Sequence, residues 1–121
     1  MRCECSMLFV EDSFMLAEHA RLALESAGLK VQAVPDAQSA LELFQRIRFD
    51  CAVIDIELPG AMDGVELARR LLHLDPGFPI ALVTGYDAAV CGAPADLPVL
   101  QKPYRFDEIR AAVCPRVLAR G

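Results

Sequence analysis

No run of consecutive apolar residues in this chain approaches the about eighteen that a membrane-spanning helix requires; the apolar residues fall in short runs broken by charges. No charged leader followed by an apolar stretch opens the chain either, so the expectation is a cytoplasmic protein without membrane contact. Basic charge is also scarce, 12 Lys and Arg against 17 Asp and Glu, for a formal net charge of −5. That sign repels phosphate backbones and argues against nucleic acid as a partner. The paired C-x-x-C spacing of zinc sites is missing, and five cysteines are an odd number. Neither a disulfide framework nor a zinc site is predicted. Cys3 and Cys5 flank Glu4 in a pattern that strand alternation explains more simply than soft-metal or redox chemistry, and Cys51 and Cys114 read as small core hydrophobes. Repeats, linkers and low-complexity tracts are absent too. The 121 residues, 55% of them apolar, therefore read as one domain, 1–121, able to fill its own core.

What is present alternates in kind. Met7-Leu8-Phe9-Val10 is a short apolar run ending at Glu11-Asp12, as a buried strand emerging at a polar edge does. Ser13 is placed to cap a helix in which Leu16, Ala20, Ala23, Leu24 and Ala27 form a core-facing stripe and Gly28 makes the stop. Lys30 to Val34 alternates like a strand near a sheet edge, Pro35-Asp36 turns the chain, and Ala40, Leu43, Phe44 and Ile47 mark a second helix. Cys51 to Ile54 is another apolar strand, ending at Asp55. After the loop residues Leu58-Pro59-Gly60 and Asp63-Gly64, a third helix shows Val65, Leu67, Ala68, Leu71 and Leu72 and closes at Asp75-Pro76-Gly77. Pro79 to Val83 is a strand ending at Thr84-Gly85, and residues 87–97 are a helix of low propensity interrupted by Gly92 and Pro94. Val99 to Gln101 is the last strand, ending at Lys102-Pro103, and Arg105 to Ala119 the last helix. Five apolar strands alternating with helices predict a doubly wound α/β fold, a flavodoxin-like (βα)5 three-layer sandwich around a five-stranded parallel sheet.

In such sheets ligands bind outside the carboxyl ends of the strands. Those ends carry Glu11, Asp12, Asp55, Thr84 and Lys102. Three ionised carboxylates crowd together only around a cation, and oxygen donors with room for water suit Mg²⁺. A carboxylate beside Mg²⁺ can attack a phosphoryl group, which makes Asp55 the candidate nucleophile and an aspartyl phosphate its product. Lys102 and the metal would neutralise phosphoryl oxygens, and the Thr84 hydroxyl would hydrogen-bond one of them.

The set Glu11-Asp12, Asp55 with Leu58-Pro59-Gly60 and Asp63-Gly64, Thr84-Gly85 and Lys102-Pro103 resembles the CheY-like receiver domain of two-component response regulators over essentially the whole chain. The resemblance implies that Asp55 accepts a phosphoryl group from a phosphohistidine on a histidine kinase or histidine phosphotransfer protein. It implies a phospho-acceptor that assists its own phosphorylation and dephosphorylation rather than an enzyme. It further implies that Asp12 and Asp55 ligate Mg²⁺ directly, that Glu11 acts largely through water, that the backbone carbonyl of Glu57 completes the site, and that the Lys102–Pro103 bond is cis. Ile80 to Tyr86 together with Val99 to Tyr104 is similar in part to the FATGUY-type single-domain response regulators; Leu82 and Val83 replace the first two letters of that motif. Val99 stands where ordinary receivers carry an aromatic switch residue. Tyr86, two residues past Thr84, is expected at the pocket rim, shielding the acyl phosphate from water. The segment 87–97 is the expected seat of a conformational response.

Taken singly, these pieces have plainer readings: a Glu-Asp pair ends many strands, Thr-Gly makes turns, Asp63-Gly64 shapes a turn, and a lysine stem covers apolar surface. Phe14, Met15 and Leu22 lie off the core stripe of the first helix and mark an expected partner surface. The resemblance adds the loop around Tyr104, where receivers dock the helical hairpin of a kinase or phosphotransferase. His19 and His73 are expected on helix surfaces away from the strand ends. With no output domain after the last helix, the expectation is a stand-alone regulator acting on a downstream protein by contact. The alternatives are a phosphate shuttle or sink in a relay, a receiver fragment of a larger regulator cut near Arg120-Gly121, a pseudo-receiver, and, from another class, a flavodoxin-like ligand-binding module. The complete residue set argues against the pseudo-receiver, and Glu11-Asp12 would repel the phosphate of a flavin.

Overall fold

The computed structural model describes residues 5–86 and 96–120. Along them run β1 (Ser6–Val10), α1 (Phe14–Ser26), β2 (Lys30–Val34), α2 (Ala37–Arg46), β3 (Cys51–Asp55), α3 (Gly64–Leu74), β4 (Ile80–Thr84), β5 (Val99–Gln101) and α4 (Phe106–Arg120). The strands form one sheet in the order β2-β1-β3-β4-β5, every neighbouring pair parallel. Parallel strands need crossover connections, and among the described residues α1, α2 and α3 supply them on both faces.

Side-chain alternation along the strands divides the interior into two cores. Leu8, Val10, Ala52, Ile54, Ile80 and Leu82 pack with Ala40 of α2 and Leu67 and Leu71 of α3. Met7, Phe9, Cys51, Val53, Ala81 and Val83 pack with Leu24 of α1 and Ile109 and Val113 of α4. β3 and β4 are buried along their whole length, which is why they read as continuous apolar runs, whereas the edge strand β2 alternates. The α/β architecture expected from the sequence is the one observed. The helix expected at 87–97 falls almost wholly on residues 87–95, outside the described residues.

Helix ends follow local chemistry. The Ser13 hydroxyl caps α1 by accepting from the Leu16 N–H. At the other end Gly28 takes φ of +97°, its N–H donates to the Glu25 carbonyl and the Leu29 N–H to the Leu24 carbonyl. This closure needs the left-handed conformation that glycine adopts without cost.

Three expectations are corrected. Leu16 is not on the core stripe of α1 but half exposed, because the buried arc centres on Ala17, Ala20 and Leu24 and leaves Leu16 on its margin. Ile47 is the C-cap residue of α2 rather than part of it, and is exposed. Cys114 is buried in the core as expected but is also disulfide-bonded, while the sulfurs of Cys5 and Cys51 stand 3.8 Å apart. Among the described residues no helix is long and apolar enough to cross a membrane.

Candidate functional site

Parallel register carries the strand-end residues to one edge of the sheet. Val10 pairs with Ile54 and Asp55 with Val83, so Glu11, Asp12, Asp55 and Thr84 come side by side. Thr84 pairs with Gln101, which puts Lys102 one residue further, its backbone N–H donating to the Thr84 carbonyl at 2.7 Å. The two connections from β1 and β3 leave toward opposite faces, and Glu11-Asp12 and Asp55 flank that switch point.

Glu11 and Asp55 are almost fully buried, and Asp12 is exposed. Lys102 Nζ donates to Glu11 Oε1 at 3.0 Å and to Asp55 Oδ2 at 2.8 Å. The remaining oxygens are held by backbone: the Ser13 N–H donates to Glu11 Oε2 at 3.1 Å and the Glu57 N–H to Asp55 Oδ1 at 3.0 Å. Burial raises the Glu11 carboxyl above its ordinary value, against the opposing pull of the Ser13 N–H and of Lys102. Burial also works against the Lys102 charge, but its hydrogen bonds to Asp55 and Glu11 and their attraction outweigh that and hold the ammonium above the usual lysine value. The Tyr104 phenol, on the loop after β5, is pushed up to about 12 by burial, reinforced by the negative charge of Glu11.

One ligand oxygen from each of Glu11, Asp12 and Asp55 lies within 4.8 Å of the other two. Mg²⁺ takes hard oxygen donors and keeps several of its waters. The set is hard, all-oxygen and open to water at Asp12, and it fits that ion.

A second group of hydrogen bonds lies beside the first. The Thr84 hydroxyl donates to Glu57 Oε2 at 2.6 Å, the Gly85 N–H donates to Glu57 Oε1 at 2.9 Å, and the Tyr86 N–H donates to Thr84 Oγ1 at 3.1 Å. Sequence reasoning expected from Glu57 only a backbone carbonyl and expected the Thr84 hydroxyl to await a phosphoryl oxygen. Here that hydroxyl is committed to the Glu57 side chain. No sequence period marks this contact, which depends on the loops after β3 and β4 running side by side. Lys102 likewise does not stand open, being paired with Glu11 and Asp55.

The Lys102–Pro103 peptide is cis. Tyr86 is two-thirds exposed at the rim. Phe14, Met15 and Leu22 are exposed on α1, and Tyr104 is half-buried with its ring edge-on to Phe106, centroids 6.1 Å apart. His73 and His19 are both exposed as expected, but His19 does not stand away from the strand ends. Its ring stands 5.3 Å from that of Phe106, and it borders a groove of about 470 Å³ together with Leu16, Gly85, Lys102 and Tyr104. The reason is tertiary: α1 packs beside the start of α4, which turns His19 toward the strand ends.

Residues 7–114 match the response regulator receiver domain family. The two-component response regulator PhoP of Pseudomonas aeruginosa is 40% identical over 110 residues, covering 87% of this chain and 48% of that protein. The response regulator receiver protein CpdR of Brucella abortus is 36% identical over 107 residues, covering 85% of this chain and 88% of that one. The chain thus spans about half the length of PhoP and most of CpdR. The crystal structure of a response regulator receiver protein from Sinorhizobium medicae matches with a TM-score of 0.87 at 30% identity, over 98% of both chains. The flavodoxin-like ligand-binding alternative is set aside by these matches. A buried carboxylate at the end of β3, a Mg²⁺-compatible acidic cluster and agreement over nearly the full fold lead to one assignment: the chain belongs to the response regulator receiver domain family, the phospho-acceptor modules of two-component signalling.

Proposed function

We propose that Asp55 is the phosphoryl acceptor of a two-component relay, taking the group from a phosphohistidine on a histidine kinase or histidine phosphotransfer protein. The observation that supports this most is the buried Asp55 carboxylate, hydrogen-bonded by Lys102 and sharing a 4.8 Å cluster with Glu11 and Asp12. An Asp55 oxygen attacks phosphorus; the O–P bond forms as the P–N bond to imidazole breaks, and the imidazole nitrogen takes a proton as it leaves. Asp12, Asp55 and the Glu57 carbonyl would hold Mg²⁺, with Glu11 acting through water, and the ion would supply charge neutralisation at the phosphoryl oxygens. Lys102 neutralises a further oxygen, and Thr84 donates its hydroxyl to another.

In this reading the receiver acts in the cytoplasm and its output is contact with a downstream protein. The exposed Phe14, Met15 and Leu22 of α1, together with Tyr104 on the loop after β5, form the surface that meets the phosphodonor. Tyr86 shields the acyl phosphate from water. The Tyr86→Ala protein is therefore expected to lose its phosphoryl group several-fold faster, followed by intact mass after the donor is removed; an unchanged half-life removes Tyr86 from the mechanism.

Phosphoramidate carries the same P–N bond as phosphohistidine and tests the proposal without knowledge of the kinase. With Mg²⁺ it should add one phosphoryl group to the protein, and with EDTA in place of Mg²⁺, or in Asp55→Asn, the mass should stay unchanged. An Asp55→Asn protein modified as fully as the parent would overturn the assignment.

A further inference from the structure

We propose that the Glu57 side chain is an internal stand-in for the phosphoryl group, a specificity-determining plug that has to be displaced when Asp55 is phosphorylated. The inference rests on the phospho-acceptor reading and deepens it. The Thr84 hydroxyl and the Gly85 N–H are neighbouring donors aimed at one point, and both are taken by the two oxygens of the Glu57 carboxylate, at 2.6 and 2.9 Å. Two oxygens on one carbon present to such donors much the same outline as two oxygens on phosphorus.

The arrangement is exclusive for reasons of proton count and charge. A threonine hydroxyl has one proton and an amide has one, so neither can serve Glu57 and a phosphoryl oxygen fully at the same time. The Tyr86 N–H donates to Thr84 Oγ1 at 3.1 Å, which occupies the oxygen as an acceptor and leaves its proton for Glu57. A carboxylate left in place would also face a phosphoryl dianion at short range, a like-charge contact in a partly buried site. The backbone of Glu57 is meanwhile anchored, since its N–H donates to Asp55 Oδ1 at 3.0 Å. The side chain, which is only half-buried, can therefore turn out to solvent without moving the residue that carries the chemistry.

Two consequences follow for the reaction. Free anions must compete with a tethered carboxylate for their donors, so the site favours a phosphoryl group delivered covalently to Asp55 over phosphate from solution. Phosphorylation also expels a negative side chain onto the loop beside Gly85 and Tyr86, at the rim where a partner would read the change.

The test is a titration of the parent, Glu57→Gln and Glu57→Ala proteins with beryllofluoride at fixed Mg²⁺, followed by amide NMR. Before any anion or metal is added, the Gly85 amide resonance should move upfield in Glu57→Ala, because its carboxylate acceptor is gone. The beryllofluoride midpoint should fall by about tenfold in Glu57→Ala, which removes both competing contacts, and by less in Glu57→Gln, which keeps one acceptor. An unmoved Gly85 resonance, or equal midpoints in the parent and Glu57→Ala, overturns the plug while leaving phosphoramidate labelling of Asp55 intact. Failure of all three proteins to bind beryllofluoride overturns the phospho-acceptor reading, and the plug with it.

Discussion

Alanine at position 64 is expected to cost at least about 3 kcal/mol of folding stability, a large share of the margin of a domain this size. Gly64 opens α3 directly after the cap residue Asp63, and its N–H donates to the Ile56 carbonyl at 2.9 Å. A Cβ there would stand 2.0 Å from the Asp55 carbonyl oxygen and 2.7 Å from both the Asp55 carbonyl carbon and the Ile56 Cα. These are backbone atoms at the end of a fully buried strand, so no side chain can swing aside to make room. Relief requires α3 to retreat from β3 at the residue that carries the acceptor carboxylate. Urea unfolding should show a much lower midpoint with little change in slope, and the folded fraction should accept phosphoryl groups poorly. A midpoint within about 1 kcal/mol of the parent would mean that the β3–α3 junction is far looser than the packing shows.

Removing Lys102 has a comparable effect by a different route. In Lys102→Ala the nearly buried carboxylates of Glu11 and Asp55 lose their shared cation, and breaking such a pair from one side costs about 3 kcal/mol without metal. The same change in an Asp55→Asn background should cost clearly less, because only one of the two carboxylates is left ionised. The pH dependence has a definite sign. A carboxyl whose folded-state pKa is raised, as burial raises Glu11, lends stability below its ordinary value near 4.3, and this is lost as pH rises through the folded pKa. Without the ammonium Glu11 moves further up, so the Lys102→Ala deficit should narrow as pH falls from about 8 to about 5. Added Mg²⁺ should restore much of the deficit at the upper pH. A deficit that is flat with pH and indifferent to Mg²⁺ would mean that the lysine acts through packing of its stem alone.

Much of the site could be read from the sequence because β1, β3 and β4 run apolar through the core and then change character at their ends. That break locates Glu11, Asp12, Asp55 and Thr84, and parallel pairing brings them to one edge without long-range guesswork. What escaped depends on how neighbouring loops and helices meet. The Glu57 side chain reaches Thr84 only because the loops after β3 and β4 run side by side, and a lone glutamate between Ile56 and Leu58 carries no period that announces this. His19 lies on the exposed side of α1 by spacing, yet the start of α4 brings Phe106 against it. Leu16 differs from Ala17 by one step around the helix, and which of the two is buried is decided by the angle at which α1 meets the sheet. The disulfide at Cys114 could not be read from cysteine spacing, since pairing depends on which thiols the fold brings together.

The most direct measurement is chemical. The protein is incubated with Mg²⁺ and acetyl phosphate, reduced with borohydride, which converts an aspartyl phosphate to homoserine, and mapped by peptide mass. Homoserine at position 55, absent when Mg²⁺ is withheld, is the expected result. Homoserine at Asp12 or another carboxylate, or at none with Asp55 recovered unchanged, would contradict the assignment of Asp55 as the acceptor.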